Sequence, residues 1–162
     1  MVDTFSKIIG LLRTGAANYR IIEHSMEGRS KEISLIRGND PFQAMKALVV
    51  VVKGGGNEKR TILAVIPGCL RLDMKTLIKT LGAQKGSFAS EDTALILTGC
   101  VTGAIPPFSF NPKLKLVIDI KCAENQEIVF NAGRLDKSIF MKFEDYKKLS
   151  GGLFASISET IR

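Results

Sequence analysis

The chain has 162 residues, 45% of them hydrophobic, which supports one domain with a sizeable core and is too short for two. Its formal charge of +7 favours polyanionic partners such as nucleic acid, and its only histidine, His24, argues against a histidine zinc site and against a Ser/His/Asp triad. No apolar run approaches the roughly 18–20 residues of a membrane span, so a cytoplasmic protein with no membrane contact is expected. Cys69, Cys100 and Cys122 lie far apart, with no pair at the two-residue interval of metal and redox motifs, and read as reduced core or near-surface thiols.

The spacing of Phe5, Ile8, Ile9, Leu11 and Leu12 predicts an amphipathic helix over residues 3–14, followed by a short strand in "YRIIEH". "SMEGRSKEISLIRG" reads as a loop running into a short helix. In "GNDPFQAMK", Asp40 as a cap and Pro41 at a first helical position predict another brief helix, ending near Lys46. "ALVVVVK" and "RTILAVIP" are β-branched, buried-type strands joined by the glycine-rich turn "GGGNEK". "RLDMKTLIKTLG" reads as a helix stopped by Gly82, "KGSFA" as a short strand, and Ser90 as the cap of a helix through about Leu97. "KLKLVID", "EIVFNAG" and "KSIFMK" are three further strands, and "EDYKKL" a last small helix. Strands do not alternate strictly with helices. The expectation is an α+β domain over residues 1–162, with a mixed, barrel-like central sheet surrounded by short helices.

Five segments compete as functional sites. "KGGGNEKR" lacks the lysine–hydroxyl spacing and following helix of a phosphate loop, so it reads as a hairpin turn. Glu23 and His24 are strand neighbours and point to opposite faces, which disfavours an acid/base pair. Lys46, between a helix and a buried strand, suits either the negative end of a helix dipole or a binding role. The loop "GCVTGAIPPFSF", residues 99–110, holds no charge, two glycines, two adjacent prolines and two phenylalanines. Pro106 and Pro107 fix φ and donate no hydrogen bond, so the loop is built for shape, and a side chain at Gly103 is expected to block a ligand with modest loss of stability. "FNAG", residues 130–133, ends a strand with small residues, as a backbone close to a ligand would.

The succession "KALVVVVKGGGN", "LAVIPGCLRLDMKTLIKTLGAQK", "SFASED", "LTGCVTGAIPPFSF" and "IVFNAGRLDKSI" resembles the YbaK and prolyl-tRNA synthetase editing-domain family of free-standing aminoacyl-tRNA deacylases, closest to its YeaK branch. The resemblance implies hydrolysis, in trans, of the ester between a misattached amino acid and tRNA, with no cofactor and no metal. It implies a mischarged tRNA as partner, leaves room for a synthetase partner, and leaves the oligomeric state open. The essential lysine of the family falls on Lys46, with Ala47 where many relatives have threonine. The family's glycine–proline loop falls on Gly103, Ala104, Ile105 and Pro107, and its small-residue turn on Asn131, Ala132 and Gly133, with Asn131 where other branches have serine. A small substrate is expected, serine first and alanine second, with Asn131 as the side chain to bind a hydroxyl. The competing reading is a tRNA-binding or synthetase-associated module without catalysis.

Overall fold

Residues 2–54 and 58–161 are described by the computed structural model. Helix α1, Thr4–Thr14, is capped by Asp3, whose carboxylate accepts from the Ser6 N–H at 2.8 Å. Its Ile8 and Leu12 are fully buried, each worth about 1.5–3 kcal/mol relative to exposure. They join Leu63, Ile118, Phe130, Ile139 and Tyr146 in the main core. Strand β1, Tyr19–Glu23, and helix α2, Ser30–Arg37, follow as expected.

The expected helix after Pro41 is absent. The Phe42 N–H turns back onto the Asp40 carboxylate at 2.9 Å and Ala44 N–H onto Pro41 O at 3.3 Å, closing a single turn. The β-branched run then takes over and strand β2 spans Met45–Lys53, so Lys46 lies on a strand with no helix dipole behind it. Propensity at Pro41 is overridden because Met45–Val52 pair in register with strand β3, Arg60–Pro67. The turn between β2 and β3 falls mostly on residues 55–57, outside the described residues.

After β3, residues Leu70–Leu72 form a short strand, β4, and helix α3 begins only at Met74 and runs to Thr80, capped by Asp73. The helix expected from Arg71 therefore starts three residues late, because β4 is claimed by a partner at the far end of the chain. Strand β5, Lys85–Phe88, and helix α4, Glu91–Thr98, match expectation, the latter with Ser90 accepting from the Thr93 N–H at 3.1 Å. Strand β6, Leu114–Asp119, leads through a 3₁₀ turn, Ile120–Glu124, to strands β7, Glu127–Arg134, and β8, Lys137–Lys142, and helix α5, Phe143–Ser150. Two further short strands, β9, Leu153–Ala155, and β10, Ser158–Thr160, close the chain.

The central sheet is mixed, in the order β5-β2-β3-β6-β9, antiparallel on the β5 side of β3 and parallel beyond it. Both faces of β2 and β3 are buried. Val49, Leu63 and Val65 enter the main core, while Val50, Val52, Ile62, Ala64 and Ile66 pack with Leu72, Leu77 and Ile157 on the other side. That explains why both strands read as near-continuous apolar runs. A second, antiparallel sheet, β1-β8-β7, meets the first through the Ala44–Val129 bridge, and β10 pairs with β4. Short helices surround both sheets, the α+β arrangement expected. Among the described residues no helix is long and apolar enough to cross a membrane.

Candidate active site at the seam of the two sheets

Strand β5 covers the outer edge of β2 only from Val50 onward, so the backbone of Met45–Leu48 has an unpaired edge. The loop at residues 99–110 faces that edge. Between them lies a cavity of about 140 Å³, lined by Lys46, Ala47, Gly103, Ile105 and Asn131 of the expected set, together with Gly28, Ser30 and Arg37.

The apolar character of the loop now has a cause. Ala104, Ile105 and Phe108 are buried, and Phe108 packs edge-on to Phe130 and Tyr146 at ring separations of 5.7 and 5.1 Å. The buried Tyr146 hydroxyl donates to Pro107 O at 2.7 Å, and burial holds its pKa well above the ordinary value. Pro107 therefore braces the loop from the core side and does not line the cavity. Ala104 is likewise behind the wall, its carbonyl accepting from the Gly133 N–H at 2.9 Å. Ala132 is fully buried, and Gly133, at φ +81°, sits against Thr4 and Phe5 of α1. Ala104, Pro107, Ala132 and Gly133 thus support the site without reaching into it.

Gly103 has φ +90°, and a Cβ built there would lie 2.7 Å from the Gly28 Cα and 3.0 Å from Gly28 O. Two backbones touch here with no side chain between them, the arrangement that only glycine permits. The Gly103 and Ile105 N–H groups make no backbone hydrogen bond among the described residues.

The Asn131 amide is engaged by the protein itself. Its amide nitrogen donates to Gly103 O at 2.8 Å and Glu27 O at 3.0 Å, and its oxygen accepts from the Ser138 hydroxyl at 3.0 Å. Both N–H donors are spent on fastening the Gly103 loop to the segment at Glu27, leaving none to donate to a substrate. Ser138, fully buried, also meets His24 Nε2 at 2.7 Å and the Arg37 guanidinium at 3.4 Å. Glu23 faces the other way, toward Lys137 at 3.5 Å, as alternation on a strand requires.

The Lys46 ammonium donates to Gly68 O at 3.3 Å. Burial lowers its pKa from the ordinary value, with nearby Cys69 opposing the shift. The lining contains two cations, two hydroxyls and exposed strand backbone, and no carboxylate, histidine or cysteine. Such a pocket suits an anionic, polar ligand and holds no side-chain nucleophile with an adjacent base. Sequence reasoning missed Gly28, Ser30 and Arg37. The arginine reads from sequence as an ordinary basic residue in the last turn of a helix, and only the fold carries it to the cavity.

Comparison with known proteins identifies the family. The family model described as "Aminoacyl-tRNA editing domain" matches residues 29–149. The chain is 43% identical over 148 residues to the "Multifunctional Ser/Thr-tRNA deacylase ProXp-y" of Escherichia coli strain K12, covering 91% of this chain and 88% of that protein. It is 24% identical over 163 residues to the "Prolyl-tRNA editing protein ProX" of Acetoanaerobium sticklandii, covering 96% and 98%. Among solved structures, that of hypothetical protein APE2540 superposes with a TM-score of 0.83 at 20% identity, over 94% of this chain and 99% of that one, a likeness of fold. The family match over most of the chain, joined to the ProXp-y identity, makes this protein a member of the aminoacyl-tRNA editing domain family.

Proposed function

We infer that the protein is a trans-editing deacylase, hydrolysing the ester that joins a small, misattached amino acid to the 3′ end of a tRNA. The observation that carries this reading is the cavity itself: two cations and exposed backbone line a space sized for one small residue. Membership of the editing family and the 43% identity to a Ser/Thr-tRNA deacylase support it over a module without catalysis. Burial of Ile8 and Leu12 in the main core supports treating residues 1–162 as one domain.

An aminoacyl ester is an activated acyl group beside a ribose hydroxyl, so positioning and electrostatics worth about 4–7 kcal/mol give a useful rate. Lys46 holds the nucleotide end. The Gly103 and Ile105 N–H groups face the ester carbonyl, whose oxygen gains negative charge as water adds. The acyl C–O bond then breaks, the ribose oxygen leaves with a proton, and the free amino acid departs. No protein nucleophile takes part, and the neighbouring ribose hydroxyl assists the water.

Serine is the first-choice substrate. The name of the E. coli relative supports it over alanine and adds threonine as the next to test. A panel of seryl-, threonyl-, alanyl- and prolyl-tRNA is expected to show seryl-tRNA hydrolysed fastest, and a rate for alanine equal to that for serine would remove the assignment. Because Asn131 fastens the walls, Asn131→Ala is expected to slow seryl- and alanyl-tRNA alike, changing their ratio by less than about threefold, and to lower stability by about 1–3 kcal/mol by orphaning two carbonyls. A ratio that shifts by about tenfold would mean that the amide reads the hydroxyl after all. The logarithm of the affinity for tRNA is expected to fall linearly with log salt, since each phosphate contact releases counterions. Salt-insensitive hydrolysis of a simple amino acid ester would indicate an ordinary esterase.

A further inference from the structure

Arg37 ends α2 at the rim of the cavity, just before Gly38, whose φ of +75° turns the chain away. Its guanidinium has five N–H donors, and among the described residues they are engaged only through two long contacts, Nε to Ile33 O at 3.4 Å and a terminal nitrogen to Ser138 Oγ at 3.4 Å. No carboxylate lies within salt-bridge distance of Arg37 or of Lys46 among the described residues. The acid nearest in sequence to the cavity wall, Glu27, is engaged with Arg29 at 2.7 Å and with the Gly28 and Arg29 N–H groups at 3.0 Å. Burial pushes the Arg37 guanidinium down to about 10. A half-buried cation of this kind is costly to hold unless an anion completes it.

The Ser138 contact explains how the fork is aimed. The Ser138 hydroxyl has one proton to give, to Asn131 Oδ1 at 3.0 Å or to His24 Nε2 at 2.7 Å, and in either case its oxygen keeps a lone pair. Ser138 Oγ is then an acceptor, and it receives one Arg37 N–H from its side of the pocket. With the bond from Nε to Ile33 O, this leaves three of the five donors to meet a ligand.

We propose that Arg37 is an anion-binding residue of this site, and that its guanidinium and the Lys46 ammonium together grip the phosphodiester joining the last two nucleotides of the tRNA. The inference rests on the deacylase reading for the identity of the ligand. That phosphate lies across the terminal ribose from the acylated hydroxyl, and both cations line the same cavity as the Gly103 backbone that would hold the ester. A planar guanidinium binds two phosphate oxygens at once, which an ammonium does not. The phosphate thereby sets the distance of the ester from the wall.

The test compares wild type, Arg37→Gln and Arg37→Lys in three measurements: binding of the dinucleotide cytidylyl-adenosine against adenosine, kcat and KM for seryl-tRNA, and thermal unfolding. Wild type is expected to bind the dinucleotide at least about tenfold more tightly than adenosine. Arg37→Gln is expected to erase that difference and raise KM by about tenfold, with kcat within about threefold, and Arg37→Lys to fall between. Equal weakening of both probes in either variant, or an unchanged KM, overturns the proposal. If Arg37→Gln does not fold, the Arg37→Lys comparison decides, because it keeps the charge and removes the fork. Wild type that hydrolyses no aminoacyl-tRNA defeats the functional reading, while the dinucleotide-to-adenosine ratio still decides the role of Arg37.

Discussion

Lys46→Ala is expected to reduce seryl-tRNA hydrolysis at least about tenfold, since a lost charge-assisted hydrogen bond is worth about 1.5–3 kcal/mol. The fold should survive. Lys46 lies on the partly unpaired edge of β2, makes one long hydrogen bond to Gly68 O, and has no partner carboxylate to strand among the described residues. Lys53→Ala, seven residues along the same strand and exposed, is expected to leave the rate nearly unchanged. Equal losses in the two variants would mean that overall basicity, rather than this ammonium, sets the rate. A pH series gives a second reading of the same group. Desolvation lowers the Lys46 pKa below its ordinary 10.5, so the neutral form gains as pH rises past the lowered value. The enzyme-dependent rate, corrected for spontaneous ester hydrolysis, should begin to decline before an ordinary lysine would lose its proton.

Gly103→Val is expected to abolish most activity and, contrary to the expectation from sequence, to destabilise the protein appreciably. The valine Cβ would fall 2.7 Å from the Gly28 Cα, a backbone atom with no rotamer to yield, and φ +90° is hostile to a β-branched residue. Backbone strain alone costs about 1–3 kcal/mol, and each kcal/mol is worth about 2–4 °C in Tm for a protein of this size. Gly151→Val separates strain from collision. Gly151 has φ +66° with nothing within 4 Å of its would-be Cβ, so that variant should lose stability and keep its activity. If Gly103→Val melts like Gly151→Val and still hydrolyses seryl-tRNA, the touching-backbone wall is not part of the site.

What the sequence made legible was local or strongly periodic. The α1 stripe, the Ser90 cap and the Val-rich pair β2–β3 depend on neighbours a few residues apart, and each appeared where expected. Strands β4 and β10 did not, because each has three residues and exists only through pairing Leu70–Leu72 with Ser158–Thr160 at the other end of the chain. Lys46 was nominated through resemblance and lines the cavity, while the local argument from a helix dipole failed with the helix. Asn131 lines the cavity, as expected, and its amide N–H groups are taken up by the protein itself. A side chain's type shows what it can donate, and only the surrounding carbonyls of Glu27 and Gly103 show that the donors are already taken. Arg37 carried no signal at all, since its approach to the cavity depends on how α2 is set against Ser138 of β8.

The Asn131 clasp also governs when the site comes into being. It joins Glu27 and Gly103 from positions 104 and 28 residues downstream, so neither carbonyl has its donor until β7 has been synthesised and has paired with β8. A chain emerging from the ribosome can form α1 and the β2–β3 hairpin early, yet the two walls remain unlatched. Contacts of such sequence separation form late, after the entropy of closing long loops has been overcome. Nascent or truncated chains should therefore carry Lys46 and the basic surface without any hydrolytic competence. Tight binding of the acceptor end, if it depends on the latched cavity, would then be a property of finished molecules alone, which keeps half-made copies from sequestering the charged tRNAs that translation consumes.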